Sequence, residues 1–199
     1  MLTISIQAGG QSRRMGEDKG LKLFLGRPLI QRVIERVSPL ADEIFVTTNL
    51  PQDYAFLGVR LVPDLKPGLG SLGGLYTALA SASSPFVAAV ACDMPFVSVE
   101  LLKVMVQLIV EKEADVVVAK SAQGLEPLHA VYRRAACLPI IKESLAAGQL
   151  RITSWFSLVK AYILEQDDYA AFDPEGRAFW NLNTPEEFAK AERLASINK

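Results

Sequence analysis

The chain has 199 residues, a formal net charge of -1 and 50% hydrophobic residues. This length suffices for one sizeable domain, and the composition excludes a disordered chain. The near-neutral charge also excludes a broad basic surface for nucleic acid. We therefore expect one domain over residues 1–199, with any anion-binding site confined to one region.

The two cysteines, Cys92 and Cys137, lie far apart in apolar stretches and lack the spacing of metal ligands. We interpret them as buried reduced thiols. Met1 leads directly into the strand-like segment LTISI without a basic leader, and no apolar run is long enough to cross a bilayer. These features predict a cytoplasmic protein with neither a membrane nor a nucleic-acid partner.

Short apolar runs alternate with helical patterns along the chain. In order, they are LTISIQ, PLIQRVIERV, EIFVTT, SLGGLYTALASAS, PFVAAVAC, SVELLKVMVQLIVEK and ADVVVAK. This alternation predicts a doubly wound, Rossmann-like α/β fold with a mostly parallel sheet and helices on both faces. The run from Phe86 to Cys92 is continuously apolar, which is typical of a parallel strand covered on both faces.

The alternation weakens between about Gln123 and Trp180. There we predict a strand at EPLHAVYRR, a helix at RAACLPIIKESLAAG and another strand at AYILEQ, and we expect this region to cover one side of a cleft. Ser98 is expected to cap one helix, and Asn183-Thr184-Pro185 carries the signals that begin the last helix.

The first strand is followed by a loop rich in glycine and cations, within the stretch IQAGGQSRRMGEDKG. In open α/β sheets, ligands bind beyond the carboxyl ends of the strands. The glycines of the Ala8 to Gly10 segment allow close backbone approach and can form an anion-binding nest. Arg13, Arg14 and Lys19 add cations that suit a polyphosphate. The alternative of an ordinary turn with solvated charges explains less of the string.

The string AGGQSRRMGEDK resembles the LAGGxSxRMGxDK signature of the molybdenum cofactor guanylyltransferases, a branch of the nucleotidyltransferases. The resemblance implies nucleotide contacts from Gln7, Ala8, Gly9 and Gly10, and a catalytic role for Lys19 and Arg14. Gln7 stands where that family usually has leucine. A related cytidylyl-transferring branch generally has AAG, so the second glycine favours guanine.

A second glycine pattern, from Gly68 to Gly73, matches the GxGxxG of dinucleotide-binding proteins. In that fingerprint the turn follows a strand directly, whereas the segment from Pro63 to Pro67 intervenes here. By resemblance to the guanylyltransferases, Asp64 and the GLGSLGG stretch lie beside the nucleotide. A carboxylate can accept hydrogen bonds from N1 and N2 of guanine, although a turn-forming role for Asp64 stays open.

Asp93 lies at the end of the buried run AAVACDMP, at the expected ligand edge of the sheet. A buried carboxylate needs a cation or hydrogen-bond donors, and Mg²⁺ is commonly held by one or two carboxylates together with substrate phosphates. We predict that Asp93 binds Mg²⁺, as the resemblance also implies, and contacts the nucleotide. A turn or cap before Pro95 is the alternative.

Further candidates are less specific. Asn181 and Asn183 match the NxNTP motif of the family, which implies a place beside the pterin acceptor. A helix-capping role explains Asn183 equally well. Arg151 matches a basic residue that meets the acceptor phosphate, and Asn49 matches a polar residue near the nucleotide. The single histidine, His129, is interpreted as a buried or cleft-wall residue rather than a general base.

The resemblance implies transfer of GMP from GTP to the terminal phosphate of Mo-molybdopterin, with release of pyrophosphate and with Mg²⁺ as the cofactor. It places the nucleotide in about residues 1–100 and the acceptor in about residues 101–199. It also implies contact with molybdenum-insertion proteins and molybdoenzyme chaperones. A cytidylyltransferase, a non-catalytic nucleotide-binding module and a nicotinamide-binding enzyme are the alternatives.

Overall fold

The structure is a computed structural model that describes residues 1–8 and 18–197. The strands are β1 (Leu2–Gln7), β2 (Leu23–Phe24), β3 (Arg27–Pro28), β4 (Glu43–Thr47), β5 (Arg60–Val62), β6 (Phe86–Ala91), β7 (Val116–Ser121), β8 (Gly124–Arg133) and β9 (Ala161–Leu164). The α-helices are α1 (Leu29–Val37), α2 (Pro51–Tyr54), α3 (Gly70–Ser81), α4 (Val99–Glu111), α5 (Arg134–Ala146), α6 (Gln166–Tyr169) and α7 (Pro185–Ile197).

Seven strands form the main sheet in the order β5-β4-β1-β6-β8-β7-β9. The pairs β5-β4, β4-β1, β1-β6 and β7-β9 are parallel, whereas β8 is antiparallel to both β6 and β7. The predicted doubly wound, mostly parallel sheet is therefore confirmed. One detail is wrong: β6 is parallel only to β1, because the β7-β8 hairpin inserts β8 as its other neighbour.

Helices cover both faces of the sheet, as predicted. One core contains Ile30 of α1 and Leu101 of α4, and the other contains Leu75 of α3 and Ile141 of α5. The prediction of continuously buried central strands holds, since β6 is buried from Val87 to Ala91. No helix in the described ranges has the length and apolarity needed to span a membrane.

The central strand β1 has one apolar and one polar face. Leu2, Ile4 and Ile6 join the core under α1 and α4. On the opposite face the Gln7 amide nitrogen donates to Ser5 Oγ at 2.9 Å. A Cβ on Gly74 of α3 would lie 2.5 Å from Gln7 Oε1, so a larger residue there would force the Gln7 side chain to move. The polar side of β1 thus ends beneath the start of α3.

Candidate active site

The site lies where β1 and β6 end. A cleft of about 320 Å³ opens at this edge of the sheet. It is lined by Gln7, Ala8, Asp18, Ala91, Cys92, Asp93, Leu128, Asn181 and Asn183. Because β1 and β6 are parallel, their carboxyl ends meet there, which is the position expected for a ligand site in an open α/β sheet.

Lys19 lies beside this cleft, at the start of the short 3-10 helix Lys19–Leu21. The Asp18 carboxylate accepts a hydrogen bond from the Gly20 amide at 3.0 Å and so caps that turn. A Cβ on the buried Gly20 would lie 2.8 Å from the Tyr54 hydroxyl, so glycine allows the turn to pack closely. Lys19 was predicted from the sequence as a site residue, whereas Asp18, which lines the cleft, was not.

Lys19, Asp93 and Asn183 meet in one cluster. The Lys19 Nζ lies 3.6 Å from Asp93 Oδ2 and donates a hydrogen bond to the side-chain oxygen of Asn183. Only 15% of the Asp93 side chain is exposed. Burial raises the pKa of Asp93 above its ordinary value, while the Lys19 ammonium acts in the opposite direction by favouring the charged carboxylate.

The NLNTP segment is held against Asp93 by both backbone and side chains. The Leu182 amide donates to the Asp93 carbonyl at 3.0 Å. Leu182 itself is fully buried against Phe24 and Phe188. Asn181 and Asn183 flank this anchor, and both line the cleft. A buried leucine between two asparagines thus brings the end of the chain to the first strands.

The side chain that caps α7 is Thr184, so the capping interpretation of Asn183 is wrong. Thr184 Oγ1 accepts from the Glu187 amide at 3.2 Å, and Glu187 Oε2 accepts from the amides of Asn183 and Thr184 at 2.6 and 2.9 Å. Threonine followed three residues later by glutamate is the capping-box pattern, which was readable in the sequence. The Asn183 side chain is therefore available to Lys19.

Asn49 and Asp64 form a second polar pair, beyond the ends of β4 and β5. The Asn49 amide nitrogen donates to Asp64 Oδ2 at 2.7 Å, and the Asp64 backbone amide donates to Asn49 Oδ1 at 3.0 Å. These two bonds hold the Asp64 carboxylate at the same edge of the sheet as Asp93. The structure thus links two residues that the sequence suggested separately.

A larger cleft of about 790 Å³ adjoins the first. Its walls come from the β7-β8 turn, the start of β8, the segment between β9 and α7, and α7 itself. They include Glu126, Tyr169, Trp180 and Glu187. Asn181 and Asn183 line both clefts. The expectation that the region from Gln123 to Trp180 covers one side of a cleft is confirmed. The sequence reasoning missed the individual wall residues Glu126, Tyr169 and Trp180.

Among the described residues, the candidate Arg151 is not brought to this cluster. Arg151 is exposed, lines neither cleft, and forms no side-chain hydrogen bond with the residues described. Gly9, Gly10, Arg13 and Arg14 lie outside the described residues.

Residues 63–69 separate β5 from α3. This gap contradicts the dinucleotide-binding interpretation, which requires the glycine turn to follow its strand directly.

The oxygen atoms at the cluster suit a magnesium ion. Asp93 supplies a carboxylate and Asn183 an amide oxygen, and hard oxygen ligands are those that Mg²⁺ prefers. Within residues 1–8 and 18–197, no group of three or more His, Cys, Asp or Glu side chains could hold a metal ion. This donor set fits an ion that takes further ligands from substrate phosphates and water rather than from an all-protein cage.

His129 is fully buried, as predicted. Its Nε2 accepts a hydrogen bond from the Ser98 amide at 3.2 Å, and its ring packs edge-on against Phe179. Burial lowers the pKa of His129 to about 4 from an ordinary value of 6.5. His129 therefore acts as a neutral acceptor at the start of α4, not as a general base.

This burial predicts a specific acid sensitivity. The unfolded chain binds a proton at His129 below about pH 6.5, whereas the folded chain resists it until about pH 4. Stability is therefore lost as the pH falls through this window, by about 2 to 3 kcal/mol at pH 4.5. Urea denaturation at pH 7 and pH 4.5 measures this loss. His129→Gln should show a correspondingly smaller loss, and an identical loss in both proteins would contradict the assignment.

The chain is similar to known proteins over most of its length. Residues 4–161 match the family described as the MobA-like NTP transferase domain. The chain is 37% identical to a molybdenum cofactor guanylyltransferase of Desulfosudis oleivorans, over 94% of this chain and 92% of that protein. It is also 37% identical to a probable molybdenum cofactor guanylyltransferase of Pelotomaculum thermopropionicum, over 98% and 93%.

A solved structure is similar over nearly the whole length. It is the molybdopterin-guanine dinucleotide biosynthesis protein A of Archaeoglobus fulgidus, with a TM-score of 0.84 and 26% identity, covering 98% of this chain and 99% of that one. The extent of these matches and the Lys19-Asp93-Asn183 cluster lead to one assignment. The chain belongs to the MobA-like NTP transferase family, within the branch named molybdenum cofactor guanylyltransferases.

Proposed function

We propose that the protein transfers GMP from GTP to the terminal phosphate of Mo-molybdopterin, forming the guanine dinucleotide cofactor and releasing pyrophosphate. The observation that carries this proposal is the meeting of Lys19, Asp93 and Asn183 where two clefts adjoin. One cleft lies at the ligand edge of the sheet and the other is large enough for a second substrate. The names of the relatives support the identity of the substrates.

The reaction needs positioning and charge neutralisation more than a strong base. The second pKa of a phosphate monoester is near 6, so the acceptor is already largely ionised at neutral pH. Lys19 is placed to stabilise the negative charge that develops on the leaving pyrophosphate. We assign the same role to Arg14 and to the backbone amides from Ala8 to Gly10, on the strength of their signature in the sequence.

We assign Mg²⁺ binding to Asp93, with the Asn183 side-chain oxygen beside it. When bound there, the ion supplies neutralisation of phosphate charge. The limited exposure of Asp93 protects this electrostatic contact from screening by water. In the structure the Lys19 ammonium lies 3.6 Å from this carboxylate, and the Leu182 amide fixes the Asp93 backbone.

We propose that the larger cleft receives the pterin acceptor. It lies in the part of the chain between about residues 101 and 199, opposite the nucleotide part in about residues 1–100. Its walls carry the carboxyl groups of Glu126, Asp173, Glu175 and Glu187. Carboxylates suit the N-H donors of a pterin ring and repel a phosphate. The acceptor phosphate therefore belongs near Asn181, Asn183 and Lys19, and we assign no more than an outer contact to Arg151.

Asp64 is proposed to recognise guanine through its N1 and N2 donors, with Asn49 orienting the carboxylate. Asp64→Asn replaces one acceptor oxygen by a donor, and we expect GTP affinity to fall by about tenfold to a hundredfold. Calorimetry with GTP and with ITP, which lacks the N2 amino group, tests this contact. The preference for GTP over ITP should shrink in Asp64→Asn and persist in Asp53→Asn, an exposed control. An unchanged preference in Asp64→Asn would exclude Asp64 from base recognition.

Calorimetric binding of GTP, CTP, ATP and NADH, each with and without Mg²⁺, tests the proposed function as a whole. We expect selective GTP binding that Mg²⁺ strengthens. Preference for CTP would indicate the cytidylyl branch, and binding of NADH would indicate a dinucleotide site. Binding of GTP without pyrophosphate release in the presence of acceptor would indicate a non-catalytic module.

We also propose a cytoplasmic location. Cys92 and Cys137 are both buried and unbridged, which suits a reducing compartment. Contact with molybdenum-insertion proteins and with chaperones of molybdoenzymes stays a prediction from the resemblance. Both partners would have to reach the larger cleft, where the acceptor enters and the product leaves.

A further inference from the structure

The Lys19 ammonium and the proposed divalent ion need the same oxygen atoms. Lys19 Nζ lies 3.6 Å from Asp93 Oδ2 and donates to the side-chain oxygen of Asn183. These are also the oxygens at this cluster that suit Mg²⁺. An ammonium and a divalent cation repel each other strongly when both lie within hydrogen-bonding distance of one carboxylate.

The surroundings hold this oxygen pair in place for either cation. The Leu182 amide fixes the Asp93 backbone. The Glu187 carboxylate accepts one hydrogen bond from the Asn183 amide and one from the Thr184 amide, and so fixes the backbone at Asn183. Capping of the Lys19–Leu21 turn by Asp18 fixes the start of the Lys19 side chain, although the four-carbon side chain itself can swing. The Asn183 side chain is also held, because its amide nitrogen donates to the Asn181 carbonyl at 3.0 Å. The two short side chains are therefore the more constrained groups, and the longer Lys19 side chain is the movable partner.

We propose that Lys19 and the divalent ion are alternative occupants of the Asp93-Asn183 oxygen pair, and that the nucleotide triphosphate decides between them by drawing the ammonium away. The inference rests on the proposed function, since it takes Asp93 as the metal ligand. Polyphosphate oxygens offer Lys19 several acceptors in place of one carboxylate and one amide. Divalent ion and nucleotide therefore bind cooperatively, partly because nucleotide removes a competitor from the metal site.

The exchange has consequences for the affinity of the metal and for the order in which metal and nucleotide bind. Without nucleotide, the ion must displace an ammonium that is only 23% exposed and already paired. Binding of the free ion is thus weak, and the metal enters with the nucleotide or after it. Removing the ammonium should make the oxygen pair a better metal site while making the enzyme a worse catalyst. These opposite effects separate competition from a merely structural role of Lys19.

Titration of the protein with Mn²⁺ in the absence of nucleotide tests the exchange, with the free ion measured by electron paramagnetic resonance. We expect Lys19→Met to bind Mn²⁺ about tenfold more tightly than wild type, because methionine keeps the side-chain length and removes the charge. Lys22→Met is the matched control, since Lys22 lies on the same segment with its Nζ 4.2 Å from the Phe188 ring centre. Thermal denaturation verifies that each variant is folded.

The gain must disappear in the double variant Lys19→Met/Asp93→Asn, and it must be absent in Lys22→Met. Equal Mn²⁺ affinity in wild type and Lys19→Met, or a gain that survives loss of Asp93, would overturn the exchange. A parallel titration with GTP present separates this result from the proposed function. Suppose that wild type binds Mn²⁺ through Asp93 when GTP is present, but that Lys19→Met gives no gain in the titration without nucleotide. The exchange is then wrong and the metal assignment stands. If no binding with GTP depends on Asp93, both are wrong.

Discussion

Asp93→Asn should lower kcat/KM for guanylyl transfer by about a thousandfold, because charge neutralisation at a metal site contributes several kcal/mol to the transition state. Asparagine has nearly the same shape as aspartate, so the contacts of the Leu182 amide with the residue 93 carbonyl remain. Steady-state rates of pyrophosphate release measure the loss. Asp53→Asn, at an exposed position, is the control and should keep wild-type rates.

The same substitution should not destabilise the fold. Burial raises the folded-state pKa of Asp93, so the folded chain holds that proton more tightly than the unfolded chain. Stability is therefore highest below the ordinary value of 3.8 and falls as the pH rises through the raised pKa. At neutral pH the ionised side chain costs stability, and asparagine removes this cost. We expect Tm to stay the same or to rise.

A folded Asp93→Asn protein with wild-type turnover would remove Asp93 from the mechanism. A large fall in Tm together with the loss of rate would show instead that Asp93 is needed for the fold. The combination of lost activity and unchanged or higher Tm separates a catalytic role from a structural one. It is also the combination expected of a site that keeps a costly buried charge for function.

Lys19→Met should lower kcat/KM for GTP by about a hundredfold to a thousandfold, the range found when one preorganised donor to a developing negative charge is removed. Pre-steady-state release of pyrophosphate at saturating GTP measures the chemical step separately from binding. We expect kcat to fall more than KM rises, because the charge on the leaving group develops in the transition state.

Lys22→Met serves again as the control, since it removes a neighbouring ammonium that packs over Phe188. Unchanged GTP kinetics in Lys19→Met would show that Lys19 does not act on the phosphates. A rise in KM alone would limit Lys19 to ground-state binding of the nucleotide.

The sequence predicts the fold well because the elements that define it have local signals. The alternation of apolar strands and amphipathic helices indicated the layers, and Ser98 was correctly predicted as a cap. The two strands of the β7-β8 hairpin were predicted, but their antiparallel pairing was not. The apolar pattern of each strand does not indicate its direction, which is set by the tight turn between Ser121 and Gly124.

The candidate site was predictable in composition but not in assembly. Asp93 and Lys19 could be proposed because each follows a strand at the ligand edge. The contact of Lys19 with Asn183 joins residues separated by 164 positions, and it depends on burial of Leu182 against Phe24 and Phe188. No local pattern encodes such packing. The helix-cap interpretation of Asn183 was wrong because the cap is the next residue, Thr184, which forms the capping box with Glu187.

Gln7 illustrates a different limit. The resemblance placed it beside the nucleotide, and the structure does place it in the wall of the smaller cleft. Its amide nitrogen, however, donates to Ser5 within the polar face of β1, and its oxygen lies close to Gly74. The pairing of β1 with β4 brings Ser5 and Thr47 together on this face, and both accept from the Gln7 amide nitrogen, an arrangement that the local sequence does not reveal.

The most direct measurement is the fate of the α-phosphorus of GTP in the presence of Mo-molybdopterin and Mg²⁺. With GTP labelled at that position, we expect the label to appear in a dinucleotide containing guanine and the pterin, with one pyrophosphate released for each GMP transferred. Asp93→Asn should abolish both products together. Retention of the label in GTP, or transfer of the label from CTP labelled at its own α-phosphorus but not from GTP, would contradict the proposed guanylyl transfer.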